Sequence, residues 1–171
     1  MLDVLLSILK KLLGNNSNVS ENNSKEVSLP IQKSNPVAIS IEAYFADPNT
    51  GKDRRDQYPE DYNNGILANA NVLLSKVNAL LTDLGIIAVQ VSSGWRPPSV
   101  NVAAGGAKKS AHCTGEACDL SDRSGQLKKQ LQEKLHLLEK HDLYMEDPQF
   151  CPTWVHLQSR KTKSGNRVFK P

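Results

Sequence analysis

The sequence predicts an α+β domain, a small antiparallel sheet with flanking helices. Three observations carry this. Residues 64–84 set Leu67, Ala70, Leu73, Leu74, Val77, Leu80, Leu81 and Leu84 on one helical face and stop at Gly85. Runs that read as strands follow: IIAVQVSSG at 86–94, LYMED at 143–147 and TWVHLQ at 153–158. Helices precede and interrupt these strands without regular alternation, which is the order of an α+β chain.

Residues 1–13 form an amphipathic helix. Leu2, Leu5, Leu6, Leu9, Leu12 and Leu13 repeat at helix spacing, opposite Asp3, Ser7, Lys10 and Lys11. Such a face wants a partner. Packing on its own domain, self-association, and docking to a membrane surface or larger assembly are all open. Residues 14–36 are rich in Asn and Ser and lack an apolar period, so they read as a flexible linker. The globular domain runs over 37–171. It opens with AISIEAYFA and a polar turn region, DPNTGKDRRDQYPED, ahead of the helix at 64–84. A Pro- and Gly-rich loop, RPPSVNVAAGGAKKS, follows the first strand. A second helix is expected at about 124–141, with Leu127, Leu131, Leu135 and Leu138 inward. LYMED and TWVHLQ form a hairpin across PQFCP, and a basic tail closes the chain.

Composition narrows the function classes. The chain has 171 residues and a formal net charge of +3. That length gives one ordinary domain, and the mild charge argues against a nucleic-acid partner, which calls for a clustered basic stripe. The three cysteines, Cys113, Cys118 and Cys151, are too few and odd in number for a disulfide framework. No stretch reaches the roughly 20 apolar residues of a membrane span. The N-terminus lacks a basic lead and a small-residue cleavage site, so it does not read as a classical signal peptide. Synthesis in the cytoplasm is expected.

Chemistry concentrates in three segments, SSGWRPP (92–98), SAHCTGEACDL (110–120) and WVHLQ (154–158). A set of two His and one Asp suits zinc, which takes imidazole nitrogen and carboxylate oxygen and keeps an open position in hydrolytic sites. His112 and Asp119 are seven apart, which is not a helix-face spacing. A loop-and-strand path, turned at Gly115, must join them. Taken alone, this spacing is weak evidence in a chain with four His and 18 acidic residues.

The pattern Ser110-x-His112-x-x-Gly115-x-Ala117-x-Asp119 resembles the signature of M15-type zinc D-alanyl-D-alanine carboxypeptidases and allied peptidoglycan peptidases, phage endolysins among them. Ser93-Gly94-Trp95-Arg96 resembles an upstream element of these enzymes, and Trp154-Val155-His156-Leu157 their last metal-ligand strand. The resemblance covers about 38–170. It implies a Zn2+ cofactor held by His112, Asp119 and His156, with Arg96 stabilising an oxyanion. It implies substrate binding by Ser110 and Trp154, a peptidoglycan stem peptide as partner, and action at the bacterial cell wall. One role does not transfer. Thr153 stands where dipeptidases of the group carry a general-base Glu, and Trp154 where another branch carries a His. The base is then sought in Glu146 or Asp147, depending on hairpin register, with Glu116 as a third choice.

Several residues have blander readings. His136 and His141 read as a helix-surface and a helix-end residue, and Trp95 as core. The cysteines lack a Cys-x-x-Cys spacing and read as small buried hydrophobes, not as a second metal site. A rival to the enzyme reading is a virion structural or wall-binding protein, with the short helix as its anchor.

Overall fold

The computed structural model describes residues 39–171; the expected helix at 1–13 and linker at 14–36 lie outside them. Two short helices open the domain. In α1 (Ile41–Phe45) Ser40 caps the first turn, and in α2 (Arg54–Gln57) Asp53 does so. The long helix α3 (Asn64–Leu84) starts at Asn63, whose Oδ1 accepts from Gly65 and Ile66 N–H at 2.9 and 3.2 Å. It ends at Gly85 with φ 68°, the left-handed closure that glycine takes without strain. Its buried face is the one periodicity predicts, with Ile66 in place of Leu67, which is only partly buried.

Five strands form one sheet in the order β1-β2-β4-β3-β5. They are β1 (Val91–Ser93), β2 (Ala117–Ser121), β3 (Tyr144–Glu146), β4 (Trp154–Gln158) and β5 (Val168–Phe169). All neighbours are antiparallel except β3 and β5. One face carries Cys118, Leu120, Met145, Val155 and Leu157 into a single core with the α3 leucines. The opposite face carries Asp119, His156 and Glu146.

Four elements differ from expectation. The first strand is shorter than 86–94, because only Val91 and Ser93 find partners on β2, with an irregularity between them. Inside the expected loop, Pro98–Ala103 is helical (α4), Pro98 sitting in the first turn where its missing N–H costs nothing. The second helix is broken into α5 (Gln126–Glu133) and α6 (His136–Lys140) at Lys134, which leaves helical geometry at φ -129°. The basic tail is not merely a tail: Val168 and Phe169 add a parallel edge strand to β3. No helix among the described residues is long and apolar enough to cross a membrane.

Candidate metal centre

Strand register builds the site. Ser93 lies opposite Asp119 and Asp119 opposite His156, while Glu146 pairs with Phe169. Tyr144 pairs with Gln158 and Met145 with Leu157, so one further step along that register brings Glu146 beside His156. A single row therefore crosses the sheet, Ser93–Asp119–His156–Glu146–Phe169, on one face.

His112 comes from outside the sheet. It sits in a 3-10 turn, Ala111–Thr114, where Ser110 Oγ accepts from His112 N–H at 3.3 Å. The turn closes at Gly115 with φ 78°, where a Cβ would stand 2.5 Å from the Ile66 carbonyl oxygen. Gly94 is equally constrained, since a Cβ there would stand 1.9 Å from Tyr44 O. This close approach sets the Gly94 carbonyl against His112.

Three ligand-type atoms meet. His112 Nε2 lies 3.2 Å from His156 Nδ1 and 3.3 Å from Asp119 Oδ1, and His156 Nδ1 lies 2.8 Å from Asp119 Oδ1. All three residues are buried. The outer atoms fix what the inner ones present. His112 Nδ1–H donates to Gly94 O at 2.7 Å, which leaves Nε2 as a bare lone pair. His156 Nε2–H donates to Gln158 Oε1 at 3.4 Å, and Gln158 Nε2 in turn donates to Arg160 O at 2.6 Å. Nδ1 of His156 is then also bare. Arg96 Nη2 donates to Asp119 Oδ2 and Arg96 Nε to Ser93 Oγ at 2.7 Å, so Asp119 keeps Oδ1 for the inner point.

Three acceptors facing one another in a buried place repel unless a cation lies among them. Ligand atoms at about 2.0–2.1 Å around a tetrahedral zinc stand roughly 3.3–3.4 Å apart, close to the spacings here. The donor set fits zinc. Burial depresses the His112 imidazole below its ordinary value, against the pull of Asp119, and favours the neutral form that ligates. Burial opposes ionisation of Asp119, but in the metal-free site the charge of protonated imidazoles at His112 and His156, and their hydrogen bonds, outweigh it and hold the carboxyl well below the usual range.

The centre opens on a cleft of about 610 Å³, whose lining includes Arg96, Ser110, Glu146 and Trp154. Burial raises the Glu146 carboxyl above its ordinary value, with His156 pulling against it and Asp119 adding to it. The other carboxylates named from sequence are elsewhere. Asp147 caps the turn after β3, its Oδ1 accepting from Gln149 N–H at 3.1 Å, and does not line the cleft. Glu116 is held by Arg160 Nε at 2.8 Å and Thr114 Oγ1 at 2.6 Å. Trp95 is fully buried, and His141 Nε2 lies 2.7 Å from Asp83. The cysteines are free thiols.

Sequence reasoning missed Gln158, the Gly94 carbonyl and Phe169, whose ring meets His156 edge-on at 6.1 Å. Strand alternation alone could have found Gln158, two residues beyond His156.

A sheet that gathers buried His, Asp and His at the floor of a cleft, with a carboxylate beside them, is a scaffold for metal-assisted hydrolysis. Residues 54–157 match the family model described as Peptidase M15. The match spans more than half of the chain, which belongs to that family and is a metallopeptidase by that membership. No curated protein and no solved structure matches it.

Proposed function

We propose that this protein is a zinc-dependent peptidoglycan peptidase that cleaves stem-peptide bonds, as a D-Ala-D-Ala carboxypeptidase or an endopeptidase. The observation that carries the proposal is the convergence of His112 Nε2, Asp119 Oδ1 and His156 Nδ1 within 3.3 Å, beside Glu146. These three residues would hold zinc, which would supply Lewis acidity at the scissile carbonyl and lower the pKa of water.

The chain's own groups do the rest. Glu146 takes the proton of the attacking water and returns it to the leaving amine, a task suited to a carboxylate whose basicity burial has raised. Arg96 is fixed by Ser93 and Asp119, and its Nη1 makes no hydrogen bond among the described residues. That N–H is free to meet the carbonyl oxygen as charge develops on it. Ser110 Oγ accepts from the His112 turn and keeps its O–H for substrate, while Trp154 offers a partly exposed ring to the cleft. The proposed place of action is the bacterial cell wall.

The test joins two measurements on purified protein, metal content and turnover of purified peptidoglycan. About one zinc per chain is expected, as a three-ligand site holds one ion. His112→Ala, Asp119→Ala and His156→Ala should each lose it, and turnover with it. Full zinc in all three variants sinks the ligand assignment. Zinc without hydrolysis of any stem peptide turns the reading to a wall-binding or virion component.

A further inference from the structure

The cleft holds more positive charge than the proposed chemistry uses. Its lining includes five basic side chains, Arg96, Lys109, Arg160, Lys163 and Lys170, against two acidic ones, Asp119 and Glu146. The surplus is +3, equal to the formal net charge of the whole chain, so the remainder of the protein is balanced. Two of the cations are engaged. Arg96 holds Asp119 and Ser93. Arg160 holds Glu116 and the Lys109 carbonyl, fastening the end of β4 to the loop before His112.

The three lysines are not engaged. Lys109, Lys163 and Lys170 are exposed, and their ammonium groups make no ion pair or hydrogen bond among the described residues. They come from three places: the loop before His112, the turn after β4 and the end of β5. Like charges brought to one concavity raise its potential and draw anions into it. A cation in the metal centre would add to that potential. The Asp119 and Glu116 carboxylates do not relieve the lysines, because each is already paired with an arginine.

We infer that Lys109, Lys163 and Lys170 form an anion-binding rim that selects peptide substrates bearing more than one carboxylate. This rests on the reading of the cleft as a peptidase site and adds its specificity. The rim binds and steers the substrate; it takes no part in proton transfer.

The test compares a synthetic stem peptide with free carboxylates and the same peptide with its carboxylates amidated. Both are offered to the full-length, zinc-loaded protein and to its Lys109→Gln/Lys163→Gln/Lys170→Gln variant. Cleavage and calorimetric binding are both recorded. Exposed ion pairs are individually weak, so the three together should cost about 10-fold in kcat/KM for the acidic peptide, mainly through KM. The amidated peptide should be cut equally by both proteins. Added salt should weaken binding of the acidic peptide to the parent and hardly affect the variant. Equal losses on both peptides, or no loss on either, overturn the rim. Turnover without lysine dependence therefore removes the rim and keeps the peptidase. Lysine-dependent binding without turnover does the reverse, and no binding with no turnover removes both.

Discussion

Along β2 and β4, neighbouring residues serve opposite ends. Cys118, Leu120, Val155 and Leu157 enter the core, all within 1% of complete burial. Asp119 and His156, between them, face the cleft and pair with each other in register. The apolar face packs into one core with leucines of α3, α5 and α6. The polar face is over-determined: Gly94, Gln158 and Arg96 each take up an outer atom of His112, His156 or Asp119, and Ser93 steadies Arg96. What is left inside is three lone pairs with no donor among them. Alternation with period two thus puts stability on one side of a strand and ligand chemistry on the other, one residue apart. Substitutions on the two faces should fail in different ways.

The largest expected effect is on the polar face. Glu146→Gln should keep the fold and the zinc, and lower turnover by on the order of 10²–10⁴, the usual cost of losing a general base. Asp147→Asn is the matched control. It weakens only a turn cap and should hydrolyse near the parent rate. Steady-state kinetics beside metal analysis decide it. Equal turnover of parent and Glu146→Gln would place the base elsewhere and erase the proposed division of labour.

The next effect belongs to the apolar face. Leu120 is fully buried beside Asp119. Leu120→Ala removes packing and leaves a cavity, which should cost about 2–5 kcal/mol in urea or thermal unfolding. Zinc content per folded chain should not change, because the variant touches no ligand. Loss of zinc at a temperature where the variant is folded would mean that the faces are coupled more tightly than alternation implies.

How much of this was legible in the sequence follows from the range of each signal. The helix at 64–84 repeats its period over 21 residues and ends on a glycine, and the structure has α3 at those bounds. The segments that meet at the centre could be named from motif order, and the structure brings His112, Asp119 and His156 together. The choice among Glu146, Asp147 and Glu116 was not legible. It depends on the register of β3 against β4, and a slip of one residue exchanges the faces of Glu146 and Asp147. The observed pairs, Tyr144 with Gln158 and Met145 with Leu157, put Glu146 on the His156 side. Phe169 was hidden for another reason: β5 has two residues, too few to show alternation, and it exists only because β3 offers an open edge. The break at Lys134 was equally hidden, since its leucines keep helical spacing across it.

The smallest of these effects sharpens the comparison most. Gln158 lies on the polar face yet touches neither the inner point nor the base. Its Oε1 accepts from His156 Nε2–H at 3.4 Å, and its Nε2 is tied to Arg160 O at 2.6 Å. The carboxamide therefore cannot rotate freely, and it offers His156 an acceptor on the outer side alone. That selects the tautomer whose Nδ1 lone pair faces Asp119 and His112. Gln158→Leu is close in size but offers no acceptor, so in the zinc-free protein the ring proton should move to Nδ1, where Asp119 Oδ1 lies 2.8 Å away. Partners of this kind typically contribute 10–100-fold to metal affinity, and a long hydrogen bond should sit near the lower figure. Competition with a zinc chelator gives the affinity, and ¹⁵N chemical shifts of the His156 ring in the zinc-free protein give the tautomer. Weaker zinc with an unchanged tautomer would make Gln158 a packing residue. A shifted tautomer with weaker zinc shows that the polar face is organised from its outer atoms inward.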